Sequence, residues 1–448
     1  MNKKKKRLIF LTLDPLNPVI QKLVKALSTN FEIIVVSDQH LSNDYPCQTI
    51  FYEHKPSILE KFLLLFYKPI ESVQEKNFIQ RNVYRKYKNF INLMFLLKKF
   101  IGAFIHLPTY SEINYFLFKN KKVEESIILP DDICIVDSNL RHTLTINPMV
   151  VRASRTANLI SIVYSWDNPQ YSTINTFSKA YLAINHQNKR ELEDYHNIES
   201  DKIFITGSLI HDYLIEYGLP LDTTKNTSTS SFNNPIRIMY AAVFGSVDEI
   251  MIKEEVSFLT KLIDMLNKEN INFEFIFRPY PSIVDKTVFD SLQKIPNLTM
   301  HEYKNFITIP HLGNKSVKIS YSKNDEKINQ FFDVDVLISA GSTYTLEFSF
   351  SDKSIIHLNA NGFLETKDSS LFFERLSIYG HLNHLSPENY DHNVVNNFDE
   401  ILKALRNKKL LGKTGYNNYL RKFSNPFYQD QKLARENIVS FINKYANQ

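Results

Sequence analysis

The chain has 448 residues, 43% of them hydrophobic and 23% charged, with a formal net charge of +5. At roughly 150 residues per domain this length implies two or three domains, and the composition excludes a disordered, fibrous or membrane-spanning protein. Mild basicity favours anionic substrates or a membrane surface, and with no aromatic-basic RNA motif in the chain no nucleic-acid partner is expected. The two cysteines, Cys47 and Cys134, lie far apart without metal or redox spacing. They read as thiols of a reducing compartment, the cytoplasm. The 13 histidines are scattered without ligand spacing, so neither a metal site nor a cofactor is expected.

In chain order, Lys3 to Arg7 is a basic leader to an apolar run that stops at Asp14, too short for a secretory signal. Leu8–Leu13 reads as a strand, Pro15–Asn30 as a helix through Ile20, Leu23, Val24 and Leu27, and Phe31–Ser37 as a second strand. Such alternation predicts a parallel sheet wound with helices. From Ser57 to Lys122 the texture changes to Lys, Arg, Phe, Tyr and Leu in helical patterns. Lys98-Lys99 splits the apolar run, which falls short of the ~18 residues of a membrane span. Two readings of this insertion are open: helices packed on the first domain, or an interfacial patch touching anionic lipid on the inner face of a membrane.

Alternation resumes with a strand at Ile133–Val136, a helix at Leu144–Ala157 and a strand at Leu159–Tyr164 that runs into Ser165-Trp166-Asp167-Asn168-Pro169. Ligands bind at the carboxyl ends of strands in open α/β sheets, which places this loop for chemistry. In one reading Trp166 lids the core and Asp167 makes an Asx turn or cap; in the other Asp167 orients or deprotonates an acceptor hydroxyl and Trp166 offers a stacking face for a sugar. Strands at Lys179–Ile184 and Ile203–Thr206 flank a helix at Asn188–His196. The second of these strands ends at Gly207-Ser208, which with Ser165, Trp166 and Asn168 make the acceptor or cleft candidates. A Ser/Thr/Asn-rich stretch at 221–234 marks a linker between a domain over 1–220 and a second over 235–425.

The second half repeats the pattern: strand Ile236–Ala241, helix Glu249–Asn267, strand Phe273–Phe277. The last ends at Arg278-Pro279-Tyr280-Pro281, where the guanidinium either clamps a diphosphate or pairs with a surface carboxylate. Ser291–Tyr321 reads as irregular and Glu326–Phe332 as a helix. Val336, Leu337 and Ile338 then form a strand that breaks at Ala340-Gly341 into an amphipathic segment opening at Ser342-Thr343. A strand, a glycine turn and a helix N-terminus suit an anion: Gly341 admits a phosphate to the backbone, while Ser342 and Thr343 offer hydroxyls. Glu347, one turn on, has the acceptors for vicinal ribose hydroxyls; the plainer reading is that Ser342 caps the helix and Glu347 is solvated. Asp333-Val334-Asp335 has the spacing of a metal-binding Asp-x-Asp but precedes the strand, which puts both acids at the wrong edge of the sheet for a ligand. Helices at Phe398–Arg406 and Asp430–Tyr445 close the chain, and the segment 426–448 is placed to cross back to the first domain.

Four features in order, Ser165-Trp166-Asp167-Asn168, Lys202 to Ser208 with Asp212, Arg278-Pro279-Tyr280-Pro281 and Ser339 to Glu347, resemble bacterial surface-polysaccharide transferases that carry a Ser-Trp-Asp-Asn loop. The terminal Phe427 to Ile442 is similar to their closing helix, and the likeness spans roughly residues 130 to 445. It implies an α/β fold of two facing Rossmann-like domains, the GT-B architecture. It also implies sugar transfer from a nucleotide diphosphate donor, held by Arg278, Gly341, Ser342, Thr343 and Glu347 without a metal, to a glycan or lipid-linked acceptor beside Asp167. Relatives often carry His where Tyr280 stands, and in glycerophosphate transferases of the same fold that His serves the site. A Tyr cannot carry a proton at neutral pH as His does, so glycerophosphate transfer is disfavoured. The architecture also serves sugar-nucleotide 2-epimerases, so it does not fix the reaction.

Overall fold

The structure, a computed structural model, describes residues 5–12, 17–41, 44–55, 110–119, 127–137, 146–170, 174–219, 234–243, 249–282, 286–301, 306–309, 317–320, 324–377, 380–390, 393–406 and 413–448, with single positions 15, 57, 58, 60 and 121. The expected insertion over 57–122 therefore lies mostly outside the described residues, as does nearly all of the expected linker at 221–234. Among the described residues no helix is long and apolar enough to cross a membrane. The chain divides into two compact units, Met1–Ile215 with Lys422–Gln448, and Glu216–Arg421.

In the first unit β1 (Lys6–Leu11), α1 (Pro18–Leu27), β2 (Phe31–Ser37), β3 (Gln48–Phe51), α2 (Tyr110–Phe118), β4 (Ile133–Asp137), α3 (Asn147–Thr156), β5 (Asn158–Ile162), β6 (Ala180–Ala183), α4 (His186–His196), β7 (Ile203–Ile205) and α5 (Asp212–Glu216) follow one another. The seven strands make one sheet in the order β3-β2-β1-β4-β5-β6-β7. Every neighbouring pair is parallel. Side chains alternate across a strand, and here both faces are apolar. Leu8, Phe10, Ile33, Val35, Ile133 and Ile135 enter one core, and Ile9, Leu11, Ile34, Val36, Cys134 and Val136 the other. That continuous apolar run is what a strand covered on both faces requires.

In the second unit β8 (Ile236–Ala241), α6 (Glu249–Lys268), β9 (Phe273–Arg278), β10 (Leu298–Met300), β11 (Phe306–Ile309), β12 (Val317–Ser320), α7 (Asn324–Phe332), β13 (Val336–Ser339), α8 (Thr343–Phe348), β14 (Ser354–Leu358), β15 (Val394–Val395), α9 (Phe398–Arg406) and α10 (Lys413–Ser424) lead to α11 (Ala434–Ala446). The main sheet is ordered β10-β9-β8-β13-β14-β15, and β11 pairs with β12 separately. The stretch read as irregular from the sequence thus contains β10 and an antiparallel pair. Three- and four-residue strands with polar residues at alternate positions leave too little apolar period to be seen.

The chain leaves the second unit at Arg421, whose guanidinium holds the Ser349 carbonyl and Asp352. From Lys422 it belongs to the first unit, where α11 adds Ile438, Ile442 and Ala446 to the core under α1. Asp212 fixes this segment: its two carboxylate oxygens accept the N–H groups of Ala434 (2.7 Å) and Arg435 (2.9 Å) at the start of α11. Those amides have no partner inside the helix and carry the positive end of its dipole. Replacing Asp212 by Ala is expected to lower unfolding stability by about 1–2 kcal/mol. Urea denaturation of the full chain measures this, and an unchanged midpoint would refute the cap.

Candidate nucleotide site

Both sheets reverse direction of strand order beside their first strand, at β1/β4 and at β8/β13. Such a switch point opens a crevice between diverging loops at the carboxyl edge. In the second unit that edge is a single register row: Arg278 pairs with Ala241, Ala241 with Ser339, and Ser339 with His357. Arg278 and the β13–α8 turn therefore emerge together, two strands apart.

The turn is rigid for identifiable reasons. Gly341 has φ +99°, and a Cβ there would lie 2.9 Å from Leu382 Cδ2 and 3.2 Å from His357 Cε1. Only glycine takes both the conformation and the packing without strain. The Ser339 hydroxyl accepts the Gly341 N–H (3.2 Å) and the Thr345 hydroxyl (2.7 Å), and Thr345 Oγ1 in turn accepts the Ser342 N–H (3.3 Å). Two of the amides expected to face a phosphate are thus spent inside the turn. The Ser342 hydroxyl, by contrast, is buried with no partner among the described residues.

Arg278 is 6% exposed, with its guanidinium 3.9 Å from the centroid of the Tyr344 ring. Tyr344 is the second residue of α8 and is pinned beneath by its hydroxyl on Met239 Sδ (3.3 Å). A cation over a ring face is held electrostatically and keeps its N–H edge for hydrogen bonding. The cation's influence reaches His301, whose ring is held below its ordinary protonation range by burial first and by the Arg278 charge second. Gln330 on α7 donates to that ring (2.8 Å). Glu347 is buried rather than solvated, and Lys327 on α7 reaches both its oxygens. Tyr344, Lys327, Gln330 and His301 were not singled out in the sequence. Lys327 and Gln330 lie on a helix legible as amphipathic, but no pattern along it names a partner some twenty residues away.

Asp333 and Asp335 stand at the opposite end of β13. Asp335 Oδ2 accepts the Arg237 N–H (3.0 Å) and Asp333 lies 3.8 Å from the Arg237 guanidinium, both tasks of strand entry.

In the first unit the Ser165–Asn168 loop follows β5 at its carboxyl end. The Ser165 hydroxyl donates to Asp167 Oδ1 (2.5 Å), the Asn168 N–H to the Ser165 carbonyl (3.0 Å), and the Gln170 N–H to the Asp167 carbonyl (3.1 Å). Trp166 lies where the first of its two readings put it, over the core. It is 5% exposed and packs edge-on against Phe423 (5.6 Å), and its carbonyl accepts from Asn188 (2.7 Å). An indole that fills a core slot offers no free face. Gly207 and Ser208 lie against the terminal segment. Gly207 has φ +92° and abuts Asn425 and Ala434, and the Ser208 N–H donates to the Ser424 carbonyl (3.1 Å). Both serve the docking of the terminal segment, with the Asn185 amide on the Phe423 carbonyl and His211 on Ser424. Asp167 alone of this group is a half-exposed ionisable residue.

No protein-family model and no curated protein matches the sequence. Solved structures do. A trehalose-6-phosphate synthase from Burkholderia multivorans is similar over 99% of this chain and 97% of its own, at 9% identity and TM-score 0.50. The UDP-bound MnaA of S. aureus is similar over 99% and 97%, at 10% identity and TM-score 0.49. A Neisseria meningitidis UDP-GlcNAc 2-epimerase bound to UDP-GlcNAc is similar over 98% and 100%, at 13% and 0.45. The fold is an α/β fold of GT-B type with two Rossmann-like units.

Three histidines, the buried His357 and the part-buried His196 and His301, have their protonated forms disfavoured by desolvation, His357 down to about 3. A folded value below the unfolded one, ~6.5, means that the unfolded chain binds the extra proton, so the stability is present above about pH 6.5 and is lost as pH falls towards 3. For His357 the slope in that window approaches ~1.4 kcal/mol per pH unit. Denaturation of the parent chain and His357→Leu between pH 7 and pH 5 should give a stability difference that shifts in favour of the variant as pH falls. A difference independent of pH would show that the imidazole takes its proton as readily in the native state as in the unfolded chain.

Proposed function

We propose that the chain is a glycosyltransferase that takes a sugar from a nucleoside diphosphate donor held in the second unit. The observation that carries this reading is the guanidinium of Arg278 seated on Tyr344 at the first turn of α8, beside the switch point. A fixed cation and a helix N-terminus at one crevice suit a diphosphate. In this reading Arg278, the Ser342 hydroxyl, Thr343 and the backbone at Gly341 meet the diphosphate, and Glu347 accepts the ribose hydroxyls. Breaking the glycosidic bond leaves charge on the departing diphosphate, and preorganised donors aimed there stabilise the transition state without a metal ion. Asp167 in the first unit orients or deprotonates the acceptor hydroxyl. The acceptor class proposed is a glycan or lipid-linked sugar of a bacterial surface polysaccharide, capsule or lipopolysaccharide, at the cytoplasmic side of the membrane.

Calorimetric titration with UDP, CDP and GDP tests the donor half. One of the three should bind, and Arg278→Gln should weaken it about tenfold to a hundredfold, the worth of a charge-assisted contact. Failure of all three to bind would end the reading. Asp167→Asn should lower turnover far more than donor affinity, and a variant with normal turnover would remove Asp167 from the chemistry. Incubation with a labelled nucleotide sugar and no acceptor separates transfer from 2-epimerisation, which would move the label into a new sugar nucleotide.

A further inference from the structure

Asp167 is the one ionisable side chain of the loop 165–170 and is part-exposed, whereas Trp166, Asn168, Pro169 and Gln170 around it are buried. What holds this stretch of backbone comes from α4, a helix of the same unit. In its first turn the Asn188 amide, 0% exposed, donates to the Trp166 carbonyl (2.7 Å), and at its last residue the His196 ring meets the Pro169 carbonyl (2.7 Å). A carbonyl only accepts, so His196 Nε2 carries the hydrogen of that bond. Between the two stands Glu191, whose carboxylate accepts from Asn188 Nδ2 (3.2 Å) and from the Gln170 amide. Three side chains spread along about 12 Å of helix thus grip residues 166–170.

We infer that Asn188 and His196 are positioning residues for Asp167, which govern turnover at the acceptor hydroxyl and leave donor binding unchanged; the inference rests on the transferase reading above. A loop that only covers a core is held by its apolar side chains, and Trp166 against Phe423 already does this. Buried amide and carboxylate groups cost desolvation, and once hydrogen-bonded they fix direction more sharply than apolar packing does. Here they fix the carbonyls that bracket Asp167, one residue before it and two after. The peptide units between are tied within the loop, by the Asn168 N–H on the Ser165 carbonyl (3.0 Å) and the Gln170 N–H on the Asp167 carbonyl (3.1 Å). Little backbone freedom is left at 167. A group that must meet a reacting hydroxyl needs its position held to about 0.5 Å, and a misplacement of about 1 Å costs about a hundredfold in rate.

The test uses the full chain. Turnover is read as nucleoside diphosphate released from UDP-glucose, UDP-N-acetylglucosamine, CDP-glucose and GDP-mannose with water as the acceptor hydroxyl, and donor binding by calorimetry with UDP, CDP and GDP. His196→Leu and Asn188→Ala should each lower turnover about tenfold to a hundredfold and change nucleotide affinity by less than about twofold. His196→Gln, whose amide nitrogen can stand where Nε2 does, should bring turnover back to within about threefold of the parent, and it covers the case in which His196→Leu fails to fold. In an Asp167→Asn background His196→Leu should cost no further turnover, because a residue that acts through Asp167 has nothing left to act on. Trp166 is the sole tryptophan of the chain, so acrylamide quenching reports the loop directly: it should rise in His196→Leu and return to the parent's value in His196→Gln. If no nucleotide binds the parent chain, if it releases no nucleoside diphosphate, or if Asp167→Asn turns over as the parent does, the transferase reading fails and the inference with it. If that reading holds but His196→Leu lowers turnover equally in both backgrounds, leaves it unchanged in the parent or does not alter the quenching, the positioning role is overturned and the transferase reading stands.

Discussion

The turn at Gly341 is the constraint on which the second unit's crevice depends. A chain leaving β13 must reverse into α8 within three residues, and it does so with a left-handed glycine wedged against Leu382 and His357. The two hydroxyls of Ser339 and Thr345 take up the N–H groups that this reversal would otherwise bury unpaired. The consequence is a division of labour. The turn's own polar atoms largely satisfy one another, and beside it stand the Ser342 hydroxyl, the Arg278–Tyr344 stack and the Lys327–Glu347 pair.

Burying the Arg278 guanidinium beside the part-buried Lys327 ammonium would be costly if they stood alone. Each is placed so that its cost is offset. Arg278 lies on the negative face of Tyr344, and Lys327 lies across a carboxylate. His301 adds no charge of its own, because burial and the Arg278 charge both disfavour its protonated form.

The sheets were legible because their strands are buried on both faces. Phe31–Ser37 and Ile236–Ala241 have in the structure the bounds that their apolar runs indicate. Helix starts drifted where caps replaced periodicity: Asn17 accepts the Val19 N–H and starts α1 at Pro18, three residues later than the pattern indicates. What stayed hidden depends on contacts distant in sequence. Tyr344 reads as one more apolar residue of an amphipathic helix until Arg278 is set on its ring, and Lys327 as one more solvated lysine until Glu347 faces it.

Motif order was informative about fold, while the individual residues of those motifs have structural partners that the order does not reveal. Ser165 to Asn168, Gly207, Ser208 and Asp212 look like one functional set, yet Trp166, Gly207, Ser208 and Asp212 all engage residues 423–435. The physical reason is that a parallel sheet's carboxyl edge exposes backbone groups as well as functional side chains, and a returning terminal segment satisfies them as well as a ligand does. Such a segment needs a glycine where it approaches the backbone, an indole to fill the gap beneath it and a carboxylate to cap its helix. These are the residue types that a ligand site also requires. Asp167 differs from the rest in one respect: its carboxylate accepts the Ser165 hydroxyl within its own loop. Docking uses the residues around it, and by holding the loop in one conformation it sets the direction in which that carboxylate points.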